Sequence, residues 1–246
     1  MTQIFISDLH LDATRPETTE QFYQLLQKDC QQIEALYILG DLYEAWIGDD
    51  DDCDLALSTQ KALAACSASG TKIFIQRGNR DFLLGTQFAQ NIGAQLLPDY
   101  AVIQCAGEPT LLMHGDLLCT EDVAYQQFRA QVHNPAWQQQ MLSQSLAARR
   151  AFAEHARQSS QAHMQQLKQN QQFETIADVT PQAVIDTMNQ YGIKRLIHGH
   201  THRPGRHHLE LNGQSAERIV LGDWYQQASS LVVSNNTLTL NFAPAN

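Results

Sequence analysis

Short runs rich in β-branched and aromatic residues recur along the chain, each closed by a turn-forming or polar residue. QIFIS (3–7), ALYIL (35–39) and KIFIQ (72–76) have the length and composition of strands. Between them, apolar residues return at helical spacing, as Phe22, Leu25, Leu26 and Ile33 do. Further strands are predicted near Tyr100–Gln104, Thr110–Met113, Lys194–Ile197, Arg218–Leu221, Ser230–Val233 and Thr237–Asn241. The alternation predicts an α/β fold in which two sheets pack as a sandwich flanked by helices.

The texture changes from Glu121 to Thr175, where Gln and Ala dominate, Gly nearly vanishes and Pro135 is the sole proline. This stretch reads as two or three helices inserted, at about 121–175, into one domain spanning 1–246. Neither an internal repeat nor a Gly/Ser linker divides the chain. Phe128, Val132, Trp137, Met141, Leu142, Leu146 and Phe152 can bury against one another, or together line a groove for apolar chains.

With 246 residues and 43% hydrophobic content, the chain can close one sizeable core without disulfides. Sixteen basic against 26 acidic residues give a net charge of −10, which argues against nucleic acid as a partner. Cys30, Cys53, Cys66, Cys105 and Cys119 are odd in number and form no CxxC pair, so they read as reduced, buried cytosolic thiols. The opening MTQIFISDLHL lacks a basic region before an apolar segment, and no signal peptide is expected. No apolar stretch approaches the ~18 residues of a membrane span, so any membrane contact is expected to be peripheral.

Candidate chemistry lies at the strand ends. Asp8 and His10 follow QIFIS, Asp41 follows ALYILG, Asn79 follows KIFIQRG, His114 follows TLLM, and His200 and His202 follow RLIHG. Residues just past the carboxyl ends of strands project into a common crevice, so distant segments can share one site. Singly, an Asp-x-His pair can cap a strand, and Gly-Asp or Gly-Asn can be an ordinary turn. Jointly, the order DLH, GD, GN, HGD and GHTH supplies what a two-metal phosphoesterase needs. Asp41 brings two oxygens to bridge cations. The mixed carboxylate, imidazole and amide set suits Mn, Fe, Co or Zn better than Ca, and the absence of thiolate argues against a structural zinc site.

These blocks resemble the calcineurin-like metallophosphoesterase superfamily. SDLHL (7–11), GDLYEAWIGDDDD (40–52), GNRDFL from Gly78, MHGDLLCTED (113–122) and LIHGHTHRP (196–204) are similar, within it, to the UDP-2,3-diacylglucosamine hydrolase family of lipid A biosynthesis, over almost the whole chain. The resemblance implies one metal on Asp8, His10, Asp41 and His202 and a second on Asp41, Asn79, His114 and His200, both divalent and most often manganese in the family. It implies cleavage of a UDP-linked diacyl sugar lipid between its two phosphates, giving UMP and 2,3-diacylglucosamine 1-phosphate. It also implies a helical lid over the site and peripheral attachment to the cytoplasmic face of the inner membrane. No obligate protein partner is evident. The alternatives are a soluble phosphodiesterase or nucleotidase on the same scaffold, indifferent to acyl chains, and a non-catalytic scaffold, which would need eroded ligands.

Arg80 occupies the position after the GN turn where many superfamily phosphatases carry a His. Arginine cannot act as a general acid but stabilises phosphoryl oxygens. Diphosphate cleavage expels a phosphate monoester with a second pKa of about 6, which needs little protonation. Arg80 therefore favours a diphosphate over an alkyl ester, the other reading being a surface Arg paired with Asp81. Asp41, Asn79, Arg80 and His114 are the expected catalytic residues, and neutral imidazole ligation predicts loss of activity below about pH 6.5.

In the insert, Asp122, Arg157 and Ser160 fall where the family places substrate-contacting side chains. Met164 and Leu167 take positions where the family tends to have a polar residue and a Lys, while Lys168 lies one residue on. The expected substrate contacts are Asn79, Arg80, Asp122, Ser160, Lys168 and His200. Arg129, Arg149, Arg150 and Arg157 can meet anionic headgroups or form a solvated face. Asp49 to Asp52 lacks the ligand spacing of a calcium loop and reads as a loop held open by repulsion. His133, His155, His163, His207 and His208 are assigned to surface or packing roles, His198 to an inward strand end, and Asp116 to orienting a ligand.

Overall fold

The computed structural model describes residues 2–30, 32–170, 176–225 and 228–242. In the six-stranded sheet, β1 (Thr2–Ile6), β2 (Ala35–Leu39), β3 (Lys72–Gln76) and β4 (Ala94–Leu96) run parallel. β10 (Ser230–Ser234) and β11 (Thr237–Asn241) extend it antiparallel beyond β1. The five-stranded sheet is ordered β5 (Ala101–Cys105), β6 (Glu108–Leu112), β7 (Arg195–His198), β9 (Gln214–Val220), β8 (Gly205–Leu211), with β6, β7 and β9 parallel.

The period of two along each strand divides its side chains between two layers. Ile4, Ile6, Leu36, Ile38, Ile73 and Ile75 face outward, against Phe22 and Leu26 of α1 (Pro16–Asp29) and Leu63 of α2 (Asp54–Ala68). Phe5, Tyr37 and Leu39 face inward, meeting Leu112, Ile197 and Ile219 of the second sheet. Register aligns Phe5, Tyr37 and Phe74 across three strands, and their rings stack at 4.6 and 4.7 Å. Each such ring pair adds about 0.5–1.5 kcal/mol beyond the area it buries. On the far side, Leu111 and Leu196 pack under Val184 and Met188 of α7 (Pro181–Tyr191).

Among the described residues, the connection from β6 to α7 carries the helices α4 (Val123–Val132), α5 (Pro135–Leu142) and α6 (Leu146–Gln169). Each begins at a side-chain cap, Asp122, Asn134 and Ser145 respectively, that accepts main-chain N–H groups of the first turn. Residues 171–175, the end of the expected insertion, lie outside the described residues.

All four arginines of these helices pair with carboxylates, although Arg150 stays half exposed and Arg157 lines the cavity. Arg149 is buried and grips Asp50, Arg150 pairs with Asp51 and Asp52, and Arg129 pairs with Asp99 and Asp116. The loop at 49–52 is accordingly held by attraction, not opened by repulsion. Asp49 accepts N–H groups from Gly85 and Phe88 where α3 (Thr86–Asn91) begins, and another from the Trp46 indole.

Three further expectations change. Cys30 and Cys66 form a disulfide joining the ends of α1 and α2, leaving Cys53 exposed and Cys105 and Cys119 buried as free thiols. Sequence spacing hides that pairing because helix packing alone brings the two Cα atoms to 5.3 Å. Ile33 is buried from the connector after α1. β4 and β8 went unread, the first because it has only three residues and the second because its edge exposes most of GRHHLEL, including His207 and His208.

Candidate metal centre and its cavity

The parallel strands of both sheets end at one edge, and their exit loops bring the seven sequence-identified side chains together. Asp8 and His10 lie beyond β1, Asp41 beyond β2, Asn79 beyond β3, His114 beyond β6, and His200 and His202 beyond β7. The exits bond to one another: His10 N–H donates to Asp41 O at 2.9 Å, and His200 N–H to Asp8 Oδ2 at 2.9 Å. Two glycines permit the crowding. A Cβ on Gly78 would run into Asp41, and one on Gly199 would run into Asp8 and Ser7.

The local backbone is strained. Asp8, His10, Asp41, His200 and His202 all adopt positive φ, between 48° and 67°. Non-glycine residues in this region carry roughly 1–3 kcal/mol each and persist where the surroundings over-determine them.

Two nests result. In one, His10 Nε2 and His202 Nε2 approach to 3.3 Å, Asp8 Oδ1 lies 3.3 Å from His202 Nε2, and Asp41 Oδ2 lies 3.6 Å from His10 Nε2. In the other, Asn79 Oδ1 stands 2.9 Å from both His114 Nε2 and His200 Nδ1, while Asp41 Oδ2 lies 3.7 Å from His114 Nε2. Asp41 belongs to both, and Arg80 N–H donates to its Oδ1 at 2.8 Å. Asp8 Oδ1 is buried without a hydrogen-bond donor. An orphaned carboxylate oxygen facing two imidazole nitrogens fits a divalent cation. Asp8, His10 and His202, and Asp8, Asp41 and His114, each converge tightly enough to hold one.

The buried carboxylates and imidazoles of the two nests perturb one another strongly. Burial raises the Asp8 carboxyl, but the charge of His202, then of His114 and His10, outweighs it and holds Asp8 well below the usual range. Burial disfavours a charged His114, yet Asp41, Asp8 and Asp116 lift it to about 9. His200 goes the other way, to about 3, through burial and the neighbouring His114. Against the effect of burial, His202 is raised like His114, chiefly by Asp8.

Other sequence candidates resolve individually. Asp81 is buried and accepts N–H groups from Gly78, Leu42 and Asp41, so it shapes the turn and does not pair with Arg80. The Arg80 guanidinium instead lines the cavity, 3.5 Å from Ser160 Oγ. Asp122 caps α4 and faces His163 at 3.4 Å, so its carboxylate is partly engaged. Lys168 lines the cavity, whereas Leu167 is buried. Asp116 reaches the site indirectly: it accepts from the Tyr125 hydroxyl and Arg129, and the Tyr125 ring lies over His200 at 6.0 Å. His198 is buried at the end of β7, where Arg218 donates to it.

Sequence reading missed Glu44, Asp223 and Tyr225. Glu44 Oε2 lies 3.0 Å from His10 Nδ1, and Tyr225 Oη and Asp223 Oδ2 lie 3.2 and 3.7 Å from His202 Nδ1. Asp223 had a readable signal, for the strand-Gly-Asp pattern of Gly40-Asp41 recurs at Gly222-Asp223 after β9.

The centre opens into a cavity of about 1080 Å³ that runs beneath α4–α6. Its lining combines the polar Asn79, Arg80, His200 and Arg157 with Trp46, Phe82, Leu83, Phe128, Met141 and Phe152, which cluster together in the hydrophobic core. Such a chamber accepts a ligand with an anionic part and an apolar part.

Comparison with known proteins places this geometry. The calcineurin-like phosphoesterase family model matches residues 1–204. The UDP-2,3-diacylglucosamine hydrolase of Xanthomonas campestris pv. campestris is 53% identical over 98% of both chains, and that of Stenotrophomonas maltophilia is 53% identical over 95% of both. The chain belongs to the UDP-2,3-diacylglucosamine hydrolase family of calcineurin-like phosphoesterases. Members of this family are hydrolases that use divalent metals, and the Asp and His clusters above are groups that can hold them. A solved structure described as a novel archaeal phosphodiesterase aligns with TM-score 0.50 at 11% identity, over 99% of this chain and 100% of that one, which shows the common fold.

Proposed function

We propose that this chain hydrolyses the diphosphate of UDP-2,3-diacylglucosamine, by water attack on the α phosphorus, giving UMP and 2,3-diacylglucosamine 1-phosphate for lipid A biosynthesis. The observation that carries this reading is the cavity itself, lined both by the dimetal nests and by apolar side chains of the inserted helices. Asp8, His10, Asp41 and His202 would hold one ion and Asp41, Asn79, His114 and His200 the other, with manganese as the resident metal. With both ions bound, the site gains Lewis-acid stabilisation of phosphoryl oxygens and a water whose pKa is lowered to about 7.

The chain supplies the rest. Arg80 and Arg157 present guanidinium groups to the diphosphate, and Asn79, His200, Asp122, Ser160 and Lys168 line the same cavity. The leaving group is a phosphate monoester, so no general acid is required, in keeping with an arginine after Asn79. Phe82, Phe128, Met141 and Phe152 take the acyl chains, under a lid formed by the helical insertion at about 121–175 in a single domain. Each buried methylene would contribute about 0.8 kcal/mol. No helix among the described residues is long and apolar enough to cross a membrane. A two-tailed lipid substrate therefore supports peripheral association with the cytoplasmic face of the inner membrane.

Chelator-stripped protein should convert the UDP-diacyl sugar to UMP and lipid phosphate only after manganese is restored. Release of inorganic phosphate, or equal turnover of small diesters lacking acyl chains, would assign the scaffold to a soluble phosphodiesterase or nucleotidase instead.

A further inference from the structure

Three of the imidazoles at the centre have an outward nitrogen held by a different group. His114 Nδ1 meets the Leu39 carbonyl at 2.9 Å, which is main chain of β2. His202 Nδ1 meets Tyr225 and Asp223, from the loop after β9. His10 Nδ1 meets the Glu44 carboxylate at 3.0 Å. Glu44 differs from the others in what else it touches. Arg15 Nη2 lies 3.2 Å from its Oε2, and Arg157 Nε lies 3.5 Å from its Oε1. Because Arg157 belongs to α6, one carboxylate links His10 to the inserted helices.

The link is anchored at one end and loose at the other. Glu44 N–H donates to Leu11 O at 3.1 Å, and Leu11 N–H to Leu42 O at 2.9 Å, which ties the loops carrying His10 and Asp41 together. Arg157, by contrast, reaches both Glu44 and Asp12 at 3.4–3.5 Å and lines the cavity.

We propose that Glu44 is a positioning residue: it accepts the His10 Nδ1 proton, leaves Nε2 to face the ion, and through Arg157 makes the hold on that ion depend on the seating of α6. The inference rests on the dimetal reading above. A neutral imidazole can ligate through one nitrogen only if the other carries the proton, and Glu44 Oε2, 3.0 Å from Nδ1 though not aligned in a hydrogen bond with it, is the carboxylate placed to accept from that nitrogen. A carboxylate acceptor also makes the ring a stronger donor, and losing such a partner typically weakens metal binding by about 10–100-fold. The Leu39 carbonyl cannot play this linking role, because it belongs to the sheet and has no contact to α4–α6 among the described hydrogen bonds.

The test is a calorimetric titration of Mn2+ into chelator-stripped full-length protein, with bound Mn2+ counted by paramagnetic resonance. The parent should bind two ions. Glu44→Ala should weaken one of them by about 10–100-fold and leave the other nearly unchanged. Glu44→Gln keeps the volume and an acceptor oxygen, so it should fold normally and restore most of that affinity. Arg157→Ala should weaken the same ion by about threefold in the parent and have no effect in the Glu44→Gln background, the non-additivity expected of contacting residues. Two ions held by Glu44→Ala as tightly as by the parent would overturn the positioning role while leaving the dimetal reading intact. Equal effects of Arg157→Ala in both backgrounds would overturn the link to α6. A parent that binds fewer than two ions would overturn the dimetal reading and this inference with it.

Discussion

Arg149, buried near the start of α6, closes a two-point ion pair on Asp50, with Nη1 to Oδ1 at 2.7 Å and Nη2 to Oδ2 at 2.5 Å. The same guanidinium donates to the carbonyls of Ile47 and Gln144, so it fastens the insert to the loop that follows Asp41. Arg149→Met should destabilise the protein by about 1–2 kcal/mol, since the buried Ile47 carbonyl loses its donor and the bonds to Gln144 and Asp50 go with it. Asp50→Asn should cost about 1 kcal/mol, because Asp50 itself is exposed. Denaturant unfolding checks the magnitudes, and faster amide exchange confined to α5 and α6 checks the location.

Asp41 contributes to both nests, so its loss should affect two ions together. Asp41→Asn is expected to lower bound metal from two ions per chain to one or none and turnover by more than about 100-fold. Elemental analysis of the purified variant alongside product assays reads both. Normal turnover with normal metal content would remove the bridging assignment.

Metal uptake should carry a proton signature. Burial acts against a charged His114, but Asp41 and its neighbours lift that imidazole to about 9 in the metal-free chain. At pH 7 it is therefore protonated and must release its proton to bind an ion, so calorimetric heats should vary with the ionisation enthalpy of the buffer. Affinity should climb as pH rises towards 9. The stability of the metal-free chain should move the opposite way. The raised folded-state value contributes stability fully below about 6.5, the ordinary imidazole value, and that contribution is lost as pH passes through about 9. Thermal melts of stripped protein between pH 6 and 9.5, with and without metal, test both signs.

Gly78 and Gly199 approach the Asp41 and Asp8 carboxylates too closely for any side chain. Gly78→Ala should displace Asp41, lowering stability by about 1–3 kcal/mol and weakening both metal positions. Gly70, where an added Cβ meets nothing but φ is positive, serves as the control: its alanine variant should lose stability through the backbone alone and keep full metal content.

The apolar wall should matter in proportion to the chains it covers. Phe152→Ser should raise KM for the diacyl substrate by about tenfold or more, following the roughly 1.5–3 kcal/mol associated with a buried aromatic side chain. A short-chain analogue should show a smaller shift. A series of acyl lengths assayed on parent and variant decides the point.

Much of the architecture was legible because β1, β2, β3, β6 and β7 each combine a buried apolar run with a sharp polar exit, a pattern that composition alone exposes. The candidate site was legible for the same reason, since ligand-type residues stand directly after those runs. What stayed hidden depends on long-range geometry. Glu44 lies three residues past Asp41 and reads as an ordinary loop carboxylate until the fold sets it against His10. Arg149 and Arg150 look like a solvated face until the acidic loop meets them about one hundred residues away. The Cys30–Cys66 bond likewise requires two helices to pack first.

The positive φ shared by Asp8, His10, Asp41, His200 and His202 narrows what each position can become. A replacement there must satisfy the donor chemistry and also tolerate a torsional basin that β-branched residues avoid, which leaves asparagine and glycine as the mildest exchanges. Because hydrogen bonds among the exit loops hold these torsions, the cage is expected to form with the fold itself. Cations can therefore enter and leave without refolding of the chain, so a stripped protein should regain its metals as fast as they diffuse to it and shed water.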